Sequence, residues 1–312
     1  MPDAATSSSA RPVQAAALAH IGRRMARATQ APWLHGEVAR RMAERLGLIR
    51  QQPRLLIDWH AFNGASQALL QQAYPRARRL CVETDAGLLR RSAASAAPRW
   101  WSPRRWSAAP PVAVAPPQLE AGVAELLWAN MMLHLAAEPL AVMQQWQRAL
   151  AVDGMLMFST LGPGSLLGLR RVYARLGWPA PFAPFVDMHD LGDMLVHCGF
   201  AGPVMDQESL TLTWPDADAL LRELRTLGGN ADPARSDGLR TPRWRQRLCA
   251  ELQQQLRGSD GRLQLDFELV YGHALRAAPK PRVGAETTVA LDEMRAMVRA
   301  GRRAPGGDEG LR

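Results

Sequence analysis

Residues 54–83 read RLLIDWHAFNGASQALLQQAYPRARRLCVE, and the order of their apolar runs decides the fold. Arg54 to Asp58 is a short apolar run ending in an acid, Ala65 to Tyr74 has helical spacing, and Arg79 to Glu83 is a second short run ending in an acid. A strand, a helix and a strand in so few residues form a βαβ unit with parallel strands. Upstream, Met25, Trp33, Leu34, Val38, Met42 and Leu46 recur at helical spacing between His20 and Leu48, with arginines on the other face. Downstream, Val112–Ala115 is a short third strand in a stretch rich in Pro, Trp and Ala (97–117). Glu125–Ala129 is a fourth strand, Pro139–Leu150 a helix, Gly154–Ser159 a fifth strand and Asp187–Cys198 another helix. This alternation predicts a doubly wound α/β sheet.

The two remaining strands differ in kind. Ser209–Trp214 and Arg262–Leu275 alternate apolar with polar residues, and Leu263, Leu265, Phe267 and Leu269 share one face, the pattern of an antiparallel hairpin at a sheet edge. Between them, about 215–261, Pro215-Asp216 and Thr241-Pro242 each start a helix, giving a helical lid over the strand ends. Residues 1–19, with Ser7-Ser8-Ser9, read as a disordered leader. Residues 20–278 form the domain, and 279–312 a linker, a short helix around Leu291–Val298 and a tail.

Composition bounds the function. The 312 residues are 47% hydrophobic, enough to bury the core of one large domain. A net charge of +9 alone would favour nucleic acid or a membrane surface. Its distribution argues for neither: Lys280 is the only lysine, and the arginines are scattered through an alanine- and proline-rich chain. An acidic carrier protein suits such a surface equally well. No run of about 18 apolar residues could span a bilayer. Cys81, Cys198 and Cys249 form no C-x-x-C pair, which points to a reduced, cytoplasmic protein. His197-Cys198 lacks metal-ligand spacing and reads as core.

In an open α/β sheet a ligand lies beyond the carboxyl ends of the strands, at the switch point. Glycines after the first strand let the backbone approach a nucleotide, and an acid after the second binds its ribose. Glu83 meets the second requirement, or is a solvent-facing acid at a strand end. The loop after Asp58 departs from the first, because His60 and Phe62 stand where glycines are wanted and only Gly64 remains. These two side chains either fill the cradle or rebuild it from the side.

The stretch DGMLMFSTLGPGSLLGLRRVYARLGWPAPFAPFVDMHDLGDMLVHCGFAGPVMD (153–206) and Leu127–His134, LWANMMLH, closely resemble the malonyl-acyl-carrier-protein O-methyltransferases of biotin synthesis. The likeness runs from about Arg40 to Arg276 and is strongest after Leu126. It implies a Rossmann-like class I methyltransferase fold, with a mostly parallel seven-stranded sheet, an antiparallel last strand, N-terminal helices and a lid. It also implies S-adenosylmethionine as cofactor and the malonyl carboxylate of a malonyl-acyl carrier protein as acceptor. The cofactor residues carried over are Asp58, His60, Phe62, Gly64, Glu83 and Asn130; the lid's Arg222 and Arg225 fall where basic residues meet the malonyl carboxylate, or form one solvated helix face. No catalytic acid, base or metal is required, because methyl transfer needs chiefly alignment. Where the family reads the adenine with an acid, this chain has Ala115-Pro116-Pro117-Gln118. A family tyrosine aligns near Ala28, and Trp33 either substitutes for it or packs in the core. His134 is a packed histidine or a general base, and His189 neighbours an N-cap at Asp187 or Asp190. Arg240, Arg243, Arg245 and Arg247 are a docking face for the carrier or a soluble helix. The alternative to an enzyme is a non-catalytic homologue that keeps the carrier-binding surface.

Overall fold

The computed structural model describes residues 13–49, 51–96, 111–236 and 238–278, and the sheet with its helices lies within Met1–Ala277. Helices α1 (Ala15–Arg27) and α2 (Trp33–Glu44) come first. They are followed by β1 (Leu55–Trp59), the single turn α3 (Ala61–Gly64), α4 (Gln67–Ala73), β2 (Arg78–Val82), α5 (Ala86–Ala96), β3 (Val112–Val114) and β4 (Ala124–Ala129). Then come α6 (Pro139–Ala149), β5 (Leu150–Leu161), α7 (Leu167–Arg175), α8 (Met188–His197), β6 (Phe200–Trp214), α9 (Ala217–Thr226), α10 (Pro242–Gln255) and β7 (Leu263–Arg276).

The strands form one seven-stranded sheet in the order β3-β2-β1-β4-β5-β7-β6. Only β7 runs against its neighbours, pairing antiparallel with both β5 and β6. This is the Rossmann-like arrangement the sequence predicts, and its switch point lies between β1 and β4, paired through Leu56↔Leu126 to Trp59↔Ala129. β1 is almost wholly buried, as a central parallel strand must be, whereas edge strand β6 alternates. On one face Leu34, Val38 and Met42 of α2 pack with Leu56 and Trp128. On the other, Met143 and Trp146 of α6 pack with Trp59, Leu127 and Phe158.

Several boundaries move. The leader ends sooner than expected, because Ala17, Ile21 and Met25 give α1 a buried stripe that starts its helix at Ala15. The helical preamble is two helices, broken before Pro32, a residue that disfavours helix at its predecessor. The expected helix Ala65–Tyr74 is interrupted at Ala65, which is left-handed at φ 54°. β6 begins at Phe200, well before Ser209, and α7 was not anticipated, although Leu169, Val172 and Tyr173 bury its inner face. Both lid helices start where expected, with Asp216 accepting from the Ala219 N–H and Thr241 from the Trp244 N–H. Asp187 likewise caps α8 through the His189 N–H. The tail at 279–312 and most of the leader lie outside the described residues. Among the described residues no helix is long and apolar enough to cross a membrane.

Candidate functional site

The turn after β1 folds in on itself. His60 sits in the left-handed region at φ 57°, the conformation for which glycine is favoured, and its Nε2 lies 2.8 Å from Thr84 Oγ1. Burial pulls its ring down to about 4, so it is neutral at pH 7. The Phe62 N–H donates to Glu83 Oε1 at 2.9 Å, and Ser92 Oγ donates to the same oxygen at 2.8 Å. Glu83 is 1% exposed, and its other oxygen is buried with no partner. Burial raises its pKa, although both donors oppose the shift. The Phe62 ring lies 3.8 Å from the Arg91 guanidinium, which also donates to the carbonyls of Ala28 and Thr29. One arginine therefore ties α5, the β1 loop and the α1–α2 connection together.

Asp58 and Asn130 are interior. Asp58 is fully buried with neither oxygen paired, and burial pushes its carboxyl up to about 7 against the pull of Arg79. Asn130 Nδ2 donates to the carbonyls of His35 (2.8 Å) and Gly64 (2.7 Å), while its Oδ1 accepts from Ser159 Oγ at 2.6 Å. Ser66 Oγ also donates to the Gly64 carbonyl and accepts from the Trp128 indole at 2.6 Å. Asn130 and Gly64 thus hold α2, the β1 loop and β5 together; the amide expected to meet a cofactor is spent on the protein's own backbone. His134 is 8% exposed, edge-on to His35 and to Phe185, a packed histidine.

Two cavities open beside this core. The larger, about 690 Å³, lies between the α1–α2 connection, the β1 loop and α9, lined by Arg24, Arg27, Trp33, Asn63, Arg222, Glu223 and Arg225. The smaller, about 390 Å³, is apolar, walled by Leu161, Leu166, Tyr173, Phe182, Phe185 and Leu221, with His134 at its side. Arg24 and Arg225 border both. Arg24 donates to the carbonyls of Gly228 and Arg225 at the end of α9, and burial and the charge of Arg225 lower its pKa. Among the described residues none of Arg24, Arg27, Arg222, Arg225 or Glu223 has an ion-pair partner.

The expected residues therefore divide. Arg222 and Arg225 reach a cavity, whereas Asp58, His60, Phe62, Gly64, Glu83 and Asn130 line neither. Asn63, Arg24 and Glu223 were not anticipated: Asn63 has only its place inside the loop to mark it, and the other two look like polar positions on amphipathic helices. Trp33 is 59% exposed at the cavity rim rather than in the core, because α2 buries Leu34 and His35 instead. His197 is exposed near the end of α8, not core. In the basic cluster Arg245 pairs with Asp218 at 2.7 Å and Arg240 lies 4.1 Å over the Trp244 ring. Among the described residues no group of His, Cys, Asp and Glu could hold a metal ion.

No family model matches the chain. It is 38% identical over 253 residues to a malonyl-[acyl-carrier protein] O-methyltransferase of Laribacter hongkongensis, covering 80% of this chain and 84% of that one. A protein of the same name from Gallionella capsiferriformans is 35% identical, over 79% and 85% of the two chains. Among solved structures, the YcgJ protein of Bacillus subtilis superposes with a TM-score of 0.52 at 7% identity, over 76% of this chain and 98% of the other, a likeness of fold.

Proposed function

We propose a function from one premise: the chain belongs to the malonyl-[acyl-carrier protein] O-methyltransferase family, matching relatives of that name over about four-fifths of both lengths. It methylates the free carboxylate of a malonyl-acyl carrier protein, with S-adenosylmethionine as donor. The residues present fit that donor at the buried, unpartnered oxygen of Glu83, which suits a ribose hydroxyl, and at the cavity beside Asn63. They offer no glycine-lined approach, since His60 and Phe62 carry side chains there. When bound, S-adenosylmethionine would supply a methyl on a sulfonium, to which the carboxylate oxygen forms a bond as the carbon–sulfur bond breaks and its electron pair stays on sulfur.

The chain's own work is to hold the acceptor. The apolar cavity takes the acyl chain and keeps water from it, and Arg24 and Arg225 at its border meet the carboxylate. No base is needed, because a malonyl carboxylate is already ionised at neutral pH, so packed His134 has no proton to move. The carrier docks on the basic outer face of α10, where Arg243 and Arg247 are exposed. The observation that carries this reading is the pair of guanidiniums without carboxylates at the mouth of an apolar cavity. Incubating the protein with malonyl-carrier and S-adenosylmethionine should yield a methyl ester by mass spectrometry; unmodified carrier under conditions where a glycine-loop relative reacts would refute it.

A further inference from the structure

The larger cavity holds opposite charges that do not meet. Arg222 is exposed and borders this cavity only; Glu223, beside it on α9, is half-buried with one carboxylate oxygen sequestered and unpartnered. Asn63 lines the same cavity; it is 4% exposed and has a side-chain oxygen buried without a partner. Buried polar groups are ordinarily satisfied, so unpartnered ones on a cavity wall are places where a ligand's donor fits. Arg24, Arg27 and Arg225 line the same cavity, so a carboxylate finds several guanidiniums there, whereas a cationic group finds Glu223. A zwitterion matches both: its carboxylate takes the guanidinium fork, and its ammonium takes Glu223 and the Asn63 oxygen.

We infer that this cavity binds the α-amino-acid end of the methyl donor, Arg222 holding its carboxylate and Glu223 with Asn63 its ammonium. The assignment rests on the methyltransferase reading and deepens it. Asn63 belongs to the loop after β1, at the sheet's switch point, so the cavity opens where a cofactor of this fold lies. With His60 and Phe62 standing where glycines would be, the amino-acid end is recognised from the lid instead. The lid arginines then part company: Arg222 serves the donor, and Arg225, bordering both cavities, serves the acceptor.

The test titrates the full-length protein and its Arg222→Met and Glu223→Gln variants by calorimetry with two probes. S-adenosylhomocysteine carries the amino-acid end, and 5′-methylthioadenosine is a related nucleoside without it. Loss of one charge-assisted bond should weaken S-adenosylhomocysteine about tenfold in each variant, with 5′-methylthioadenosine binding the same to all three proteins. Unchanged S-adenosylhomocysteine affinity in both variants overturns the assignment, as does an equal loss for both probes, which would mark a structural role. Methyl-ester formation on malonyl-carrier is measured in parallel. If the unmodified protein makes the ester but the variants bind S-adenosylhomocysteine normally, this inference alone fails. If it neither binds S-adenosylhomocysteine nor makes the ester, the methyltransferase reading falls with it.

Discussion

Asn130 is fully buried and spends its side-chain amide on the protein's own groups. Replacing it with Ala would take a donor from the carbonyls of His35 and Gly64, the latter keeping Ser66 Oγ, and the acceptor from the Ser159 hydroxyl, all inside the protein. The expected loss is about 3 kcal/mol or more, read by urea unfolding; normal stability with weaker cofactor binding would instead return Asn130 to the site. Asp58 supplies a second residue-level test. Its folded pKa is raised from 3.8 to about 7, so its favourable contribution is full below pH 3.8 and is lost as pH rises to about 7, a swing of about 4 kcal/mol. Asp58→Asn should therefore unfold at higher denaturant than the parent at pH 8 and converge with it near pH 3. His35 and His60 shift the opposite way, to about 4, so their stability is present above pH 6.5 and lost on acidification; comparing Asp58→Asn with the parent cancels that term.

The β1 loop is the element on which cofactor access turns. His60 and Phe62 stand where glycines would line the approach, and Phe62 also ties its N–H to Glu83 and its ring to Arg91. Glycine at both positions keeps that N–H but removes the ring. The His60→Gly/Phe62→Gly protein should bind S-adenosylhomocysteine more tightly because the approach reopens. It should also be less stable, losing a cation–π contact of about 0.5–2 kcal/mol and gaining chain entropy of about 1 kcal/mol at Phe62. Weaker binding in calorimetry would mean that the two side chains now build the pocket. The loop's likeness to a cofactor turn, and its two missing glycines, were legible in the sequence. Its inward turn onto Glu83 was not, because that depends on Arg91, far along the chain, reaching the Ala28 and Thr29 carbonyls.

At the scale of the whole molecule, the charge of +9 matters through its placement. If the carrier docks on α10, Arg243→Glu/Arg247→Glu should raise the KM for malonyl-carrier about tenfold at low salt, with kcat and S-adenosylhomocysteine affinity unchanged. An effect indifferent to salt would remove the electrostatic docking argument. The sequence by itself determined the alternation of strands and helices, the capped lid helices and the antiparallel last strand, because each is written in local periodicity and turn chemistry. It also marked Arg222 and Arg225 as lid residues. Only the tertiary structure decided which polar side chains face a cavity and which are spent inside the protein. Arg24 and Arg225 are about two hundred positions apart, as are Asn63 and Glu223 to within some forty, and no local pattern records that α1, α9 and the β1 loop wall one cavity and leave their charges facing it without ion-pair partners.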